Sequence, residues 1–301
     1  MRFSVLICTY NREKYIYNVL KSVADNTFPH SDYEIVLVDN NCTDNTRGEC
    51  QRFANDFPDI LFRYVNESNQ GLSYARNKAI SEAQGDILVY VDDDATVNRE
   101  YLQAYDDFFR QMPEALACGG QIQPVYETEE PAWMSHYTRI LITAYKYEGN
   151  KVKELTGGKF PSGGNAAYRK EVFEKVGLFN PELGRKGNSL IGAEEKDLFD
   201  RMVSLGMKFY YVPNAILYHI IPPMKLTEEY FTNLTYAMGK SERIRTQSIS
   251  TGKFLKRCIS EFIKWGASIV LWFGFLLRLQ PSKGYKLLQF RWNVTKGLLG
   301  F

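Results

Sequence analysis

Short apolar runs recur through the first hundred residues, and each is followed by a stretch whose apolar positions have helical spacing. The runs cover Phe3 to Cys8, Glu34 to Val38, Ile60 to Val65 and Ile87 to Val91, and helical spacing covers Lys14 to Ala24, Asp44 to Asp56 and Leu72 to Ala83. Strands that alternate with single helices imply right-handed crossovers and a mostly parallel sheet. In such a sheet the ligand sits beyond the carboxyl ends of the strands. Three of those ends bring polar residues together: Thr9, Tyr10, Asn11 and Arg12 after the first strand, Asp39 and Asn40 after the second, and Asp92, Asp93 and Asp94 after the fourth.

The pattern is less regular further on. Ala115 to Val125 reads as a strand, 129–137 as a loop, and 159–177 as a Gly-rich turn, a short strand and a helix. A glycine-bearing loop and a helix fill 184–206. Two strands follow at 208–213 and 215–220, separated by a Pro-Asn turn. There is no internal repeat and no low-complexity segment. Helices are expected at Thr227 to Thr246 and Phe254 to Leu279. The second contains an uncharged run, 265–277, shorter than the roughly 20 residues that span a bilayer.

Composition narrows the class. A chain of 301 residues, 45% hydrophobic and 14% aromatic, can bury a large core, which excludes a disordered chain. Its five cysteines form no CxxC pair and read as reduced thiols of a cytosolic protein. The first apolar run is six residues long with no small-residue cleavage site after it, so it reads as a strand and not as a signal peptide. Charge is uneven. From Thr251 onward nine Lys/Arg stand against one acid, Glu261, whereas the preceding residues are net acidic. With Trp265, Trp272 and Trp292 nearby, this tail favours a helix lying on an anionic membrane leaflet. The alternatives are a re-entrant or buried helix, a cover for the preceding α/β domain, or a homodimer contact. Basic residues that surround an apolar stretch do not make a nucleic-acid surface.

The aspartate triplet carries the clearest chemistry. In extended backbone Asp92 and Asp94 share a face, and two close carboxylates are relieved most directly by a divalent cation. Helix capping would explain one aspartate but hardly three. Asp39 serves either the turn and cap chemistry of "DNNCTDNT" or recognition of a base or ribose. Arg76, one turn into its helix, is placed to reach a phosphate or an acid of the triplet. Acids at Glu194 and Glu195 also suit the first turn of a helix.

The segments "SVLICTYNR", "VDNNCTDNT", "NQGLSYARNKAI", "GDILVYVDDDATV", "SGGNAAYRK", "GAEEKDLFDRM" and "VPNAILYHI" occur in the order and spacing of the family 2 inverting glycosyltransferases, which this chain resembles over roughly residues 2 to 220. The resemblance implies an α/β GT-A fold, a Rossmann-like nucleotide-binding mixed sheet flanked by helices, at 1–222; beyond it the residues themselves read as a basic and apolar helical extension at 223–301. It also implies a nucleotide-sugar donor, UDP favoured, and a Mn²⁺ or Mg²⁺ cofactor. Thr9, Tyr10, Asn11 and Arg12 resemble the first nucleotide loop, and Asp39 the base-recognising acid. Asp92 and Asp93 resemble the nucleotide side of the DXD motif, and Asp94 its metal ligand. His219 resembles the histidine that completes the metal site.

Glu195 resembles the base that deprotonates an acceptor hydroxyl in a single displacement, with Glu194 as the alternative, because a second glutamate stands where the family usually shows aspartate. Gly163, Gly164 and Asn165 resemble the segment lining donor sugar and acceptor. Trp133 is a candidate stacking platform for an acceptor ring. The implied activity is transfer to a glycan or polyprenyl-linked acceptor at the cytoplasmic face of the cell membrane, in surface polysaccharide synthesis. The rival reading is an inactive nucleotide-sugar-binding or scaffold subunit.

Overall fold

The computed structural model describes every residue except Asn188. Two compact units are resolved: 1–125 with 145–181 and 195–220, and 126–144 with 182–194 and 221–301.

The first unit opens with β1 (Phe3–Thr9), α1 (Ile16–Ala24), β2 (Tyr33–Asp39), α2 (Thr46–Asp56), β3 (Leu61–Asn66), α3 (Leu72–Glu82) and β4 (Ile87–Val91). β5 (Ala95–Val97), α4 (Tyr101–Gln111), β6 (Ala117–Tyr126) and, in the second unit, α5 (His136–Thr143) come next. β7 (Lys153–Glu154), β8 (Asn165–Arg169), α6 (Glu171–Val176), α7 (Glu194–Ser204) and β9 (Phe209–Ile221) follow. The described strands form one mixed sheet in the order β3-β2-β1-β4-β8-β6-β9-β5, with β7 against β9. β3, β2, β1 and β4 are parallel, as the alternating pattern requires, and β8 turns antiparallel against β4. β1, β2 and β4 are buried almost throughout, which is why they read as continuous apolar runs. The core includes Leu6, Val36, Leu88, Tyr168 and Phe199.

The expected Pro-Asn turn is absent. β9 runs unbroken through Pro213 and Asn214. Proline removes one backbone donor, and the side chain of Asn98 keeps the flanking backbone paired: Nδ2 donates to Asn214 O and Oδ1 accepts from Ile216 N.

The second unit gathers α5 with α8 (Glu228–Ile249), α9 (Thr251–Leu277) and α10 (Pro281–Leu299). α10 goes beyond the elements expected from the pattern, although Pro281 at its start and left-handed Gly300 just past its end are ordinary helix signals. It packs closely on α8, where Gly239 faces the α10 backbone and Gly297 the α8 backbone; a Cβ at either would lie 2.1 Å from a carbonyl oxygen. α9 also differs from expectation. The uncharged run of 265–277 is extended by Phe254 to Ile263, and the 27-residue helix is long and apolar enough to cross a membrane by length and composition.

Candidate active site

The site forms where β1, β2 and β4 end. After β1 the chain passes through Asn11 in the left-handed region (φ 54°), a conformation that Asn tolerates better than most residues. Asn11 Oδ1 accepts from Thr43 N at 2.7 Å, and Arg12 N donates to Thr46 Oγ1 at 2.8 Å, so the loops after β1 and β2 are tied together. Asp39 ends β2 with both oxygens engaged: Oδ1 accepts from Cys42 N at 2.7 Å and Oδ2 from the Tyr64 hydroxyl. Sequence reasoning missed Tyr64. Its position two residues before the end of a parallel neighbour, opposite Leu37, was the available signal. Asn40 was seen at the strand end but given no role. Its Oδ1 accepts from Gly71 N, and its Nδ2 donates to Glu67 O and Asn69 O, which fixes the start of α3.

The aspartates separate by role. Asp93 closes the first loop, accepting from Tyr10 N at 3.3 Å and from Arg12 Nε at 3.1 Å. Asp94 lies 3.9 Å from Arg12 Nη2 and, through Oδ1, 3.4 Å from His219 Nε2. Register explains the second contact: β5 pairs β9 with Ala95 opposite His219, so the residue before Ala95 meets the imidazole. Asp92 faces another turn. Val91 pairs with Asn165 across β4 and β8, which places Gly164 beside Asp92. A Cβ on Gly164 would lie 1.9 Å from Asp92 Oδ2, and one on Gly163 would lie 1.9 Å from Glu195 Oε1. These two glycines occupy the centre of a tight turn closed by Asn165 N donating to Ser162 O at 2.9 Å.

Glu195 sits in the first turn of α7 with each oxygen held. Oε2 accepts from Gly163 N and Oε1 from Arg76 Nη2, both at 2.8 Å. Arg76 is buried, with the Tyr90 and Phe179 rings 5.5 and 5.2 Å from its guanidinium carbon. Arg76, expected to reach a phosphate or the triplet, forms an ion pair with Glu195 at 2.8 Å. Glu194 is buried and belongs to the second unit.

Asn165 is a correction. It was expected to face a sugar hydroxyl, but it is fully buried and its amide is saturated. Oδ1 accepts from Tyr101 and Tyr105 at 2.7 and 2.6 Å, and Nδ2 donates to Gln121 O and Ala215 O at 2.7 and 3.2 Å. Two donors and two lone pairs are all it has. It buttresses the glycine turn. Trp133 lies in the second unit, its ring 5.2 Å from that of Phe231 and 4.7 Å from Lys286 Nζ.

Burial, and then the neighbouring Asp94, push the Asp92 carboxyl upward, with Arg76 opposing. Burial raises Asp93 as well, and Arg12 opposes it. Burial also pushes the Cys8 and Cys42 thiols up to about 12, so neither offers a thiolate nucleophile near neutrality. Among the described residues no group of three His, Cys, Asp or Glu forms a metal cage. The Asp94–His219 pair supplies two donors, which suits a hard dication that takes its other ligands from substrate oxygens. A depression of about 620 Å³ bordered by Glu114, Leu116, Lys175 and Lys208 lies at the start of β6, away from this chemistry.

The architecture is a GT-A fold. The mannosyltransferase PcManGT of Pyrobaculum calidifontis, solved with GDP-Man and Mn²⁺, superposes with a TM-score of 0.67 at 18% identity over 99% of this chain and 87% of that one. Staphylococcus aureus TarS in complex with UDP-GlcNAc gives 0.54 at 20% identity, over 100% and 91%. The family "Glycosyl transferase family 2" matches residues 4–177, and the chain belongs to it and is a glycosyltransferase. In sequence, the glucosyl-dolichyl phosphate glucuronosyltransferase of Haloferax volcanii is 26% identical over 249 residues, 81% of this chain and 77% of the relative. The poly(ribitol-phosphate) β-N-acetylglucosaminyltransferase TarS of S. aureus is 35% identical over 103 residues, so the match takes in 34% of this chain and 18% of TarS.

Proposed function

We propose that this chain transfers a sugar from a nucleotide-diphosphate donor to a hydroxyl of a glycan or polyprenyl-linked acceptor, with inversion, at the cytoplasmic face of a membrane. The observation that carries the reading is the glycine turn: Glu195 is held on Gly163 and Asp92 lies against Gly164, so a base and a donor-side carboxylate flank one surface without side chains. Residues 1–222 carry the chemistry.

In this reading Thr9, Tyr10, Asn11, Arg12 and Asp39 hold the nucleoside, and Asp92 and Asp93 its ribose and phosphate side. Asp94 and His219 would hold Mn²⁺ or Mg²⁺, which neutralises diphosphate charge when bound. Glu195 accepts the acceptor's proton as the oxygen forms its bond to the anomeric carbon. The bond from that carbon to the diphosphate oxygen breaks on the opposite face, and its electron pair leaves with the nucleoside diphosphate. Arg76 and Gly163 N–H hold the base in place. The UDP-GlcNAc complex of TarS supports UDP, and the GDP-Man complex of PcManGT supports the same phosphate chemistry with another base. The glucuronosyltransferase likeness supports a lipid-linked acceptor.

Calorimetric titration with UDP, GDP, dTDP and CDP, each with and without Mn²⁺, tests the donor. UDP binding that requires Mn²⁺ is expected; absence of binding by every nucleotide at millimolar concentration would favour the scaffold reading.

A further inference from the structure

The amphipathicity of α9 is inverted. The face packed within the second unit is polar over the first half of the helix, where Glu261, 3% exposed at its side chain, accepts from Arg257 and Arg291 at 2.9 Å each and Trp265 Nε1 donates to Thr295 Oγ1; further on Leu271 and Phe275 pack into the core of that unit. The outward face is apolar. Leu255, Ile259, Phe262, Val270, Phe273 and Leu277 are each at least 55% exposed, and their spacing puts them within roughly 120° of arc. A helix facing water has the opposite arrangement, and a continuous exposed apolar stripe marks a surface that meets something apolar.

Charge identifies the occupant. Lys253, Lys256 and Lys264 are exposed on the same helix and Arg278 just past its end, whereas Glu261, the only acid in the sequence after Thr251, is buried against two arginines. An apolar stripe bordered by exposed cationic side chains is complementary to an anionic lipid leaflet. Crossing is disfavoured by the packing. α10 begins three residues after α9, packs along it, and brings Lys283, Lys286, Arg291 and Lys296, which a spanning α9 would draw into hydrocarbon.

We propose that α9 is an in-plane interfacial helix that seats this chain on an anionic membrane leaflet through the Leu255–Phe262–Val270–Leu277 stripe. The inference deepens the proposed membrane placement and rests on it.

The test is sedimentation of the whole chain with vesicles of phosphatidylcholine alone or mixed with phosphatidylglycerol. Binding to the anionic vesicles should exceed binding to the neutral ones by at least roughly tenfold and fall as salt is added. Phe262→Asp/Val270→Asp should lose binding to both, with an unchanged circular dichroism spectrum. Lys253→Glu/Lys256→Glu/Lys264→Glu should lose the anionic preference alone, and it keeps the proposal testable if the first variant does not fold. Alkaline carbonate should release the bound protein. Retention after carbonate, which marks a spanning helix, would overturn the proposal. So would undiminished binding by both variants, or a lipid-independent dimer that Phe262→Asp/Val270→Asp disperses. Nucleotide binding measured on the same samples without vesicles separates failure of this inference from failure of the donor reading.

Discussion

Arg76 Nη2 donates to Glu195 Oε1 at 2.8 Å, which joins the second turn of α3 to the first turn of α7, a helix far away in sequence. The guanidinium is buried beside two aromatic rings, so its direction is fixed by packing before any substrate arrives. With Gly163 N–H on the other oxygen, the carboxylate has little rotational freedom. Misplacing a reacting group by about 1 Å can cost on the order of 100-fold in rate. Arg76→Gln is therefore expected to lower kcat by roughly 10- to 100-fold, and Arg76→Lys should recover part of it. Glu195→Gln should lose about 100- to 10,000-fold, the usual worth of a general base. Steady-state kinetics beside calorimetry would check the split: donor affinity within about twofold of the parent in all three, with the loss confined to turnover. A comparable loss in Glu194→Gln alone would transfer the base to that residue.

The glycine turn makes a separable prediction. A methyl at 163 meets Glu195 and one at 164 meets Asp92, each at 1.9 Å, so neither fits unless a carboxylate moves. Gly163→Ala should depress kcat with donor binding kept. Gly164→Ala should weaken donor binding, and comparing KM with kcat for the pair would show it. If both variants lose the same parameter, the two carboxylates do not divide the work as argued.

Much of this was legible because parallel strands are covered on both faces and announce themselves as apolar runs, after which the polar residues at their ends must gather. Leu88 to Val91 and the triplet behind them show it directly. Asn165 was misjudged for a physical reason. An Asn after two glycines looks like a ligand-facing amide, and only the fold reveals that Tyr101 and Tyr105, about sixty residues earlier, consume its oxygen. Pro213 misled similarly, because a local breaker was overruled by Asn98, whose side chain pairs the adjoining backbone. The tail was read from its thirteen uncharged residues, yet the buried Glu261 and the exposed apolar stripe of α9 are told apart only once α8 and α10 are packed beside it.

Asp92 is expected to exchange stability for function. Burial and Asp94 hold its carboxyl above the ordinary carboxylate range. An acid whose folded value lies above its unfolded value binds its proton more tightly in the fold, so the folded state loses stability as pH rises through that folded value. Above the ordinary aspartate value this upward shift is thus a burden on the unliganded protein, and Asp92→Asn removes it. The variant should melt at a higher temperature than the parent at pH 7, by roughly 2–4 °C for each kcal/mol relieved in a chain of this size. The advantage should shrink as the pH is lowered through the folded value toward the ordinary aspartate value, because both folded proteins are then neutral at that position. Donor binding should be lost over the whole range. Scanning calorimetry at pH 7 and pH 4 would decide it, since a lower melting temperature for Asp92→Asn at both would mean that Asp92 stabilises the fold.

Asp94 and His219 carry the remaining prediction. Two protein donors, one imidazole and one carboxylate, do not by themselves hold a dication firmly, and among the described residues no group of three His, Cys, Asp or Glu forms a metal cage. Ion and nucleotide should consequently bind as a pair, each raising the affinity of the other by the same factor. Mn²⁺ alone should shift the melting temperature little, UDP alone little, and the two together substantially more than their sum. Asp94→Ala should abolish this synergy, and His219→Ala should weaken it by about 10- to 100-fold, the scale on which loss of a supporting group reduces metal affinity. A merely structural contact at 3.4 Å would behave differently. His219→Ala would then lower the melting temperature while the Mn²⁺ dependence of nucleotide binding stayed intact, and that result would remove the metal from this pair and leave Asp94 as a partner of Arg12.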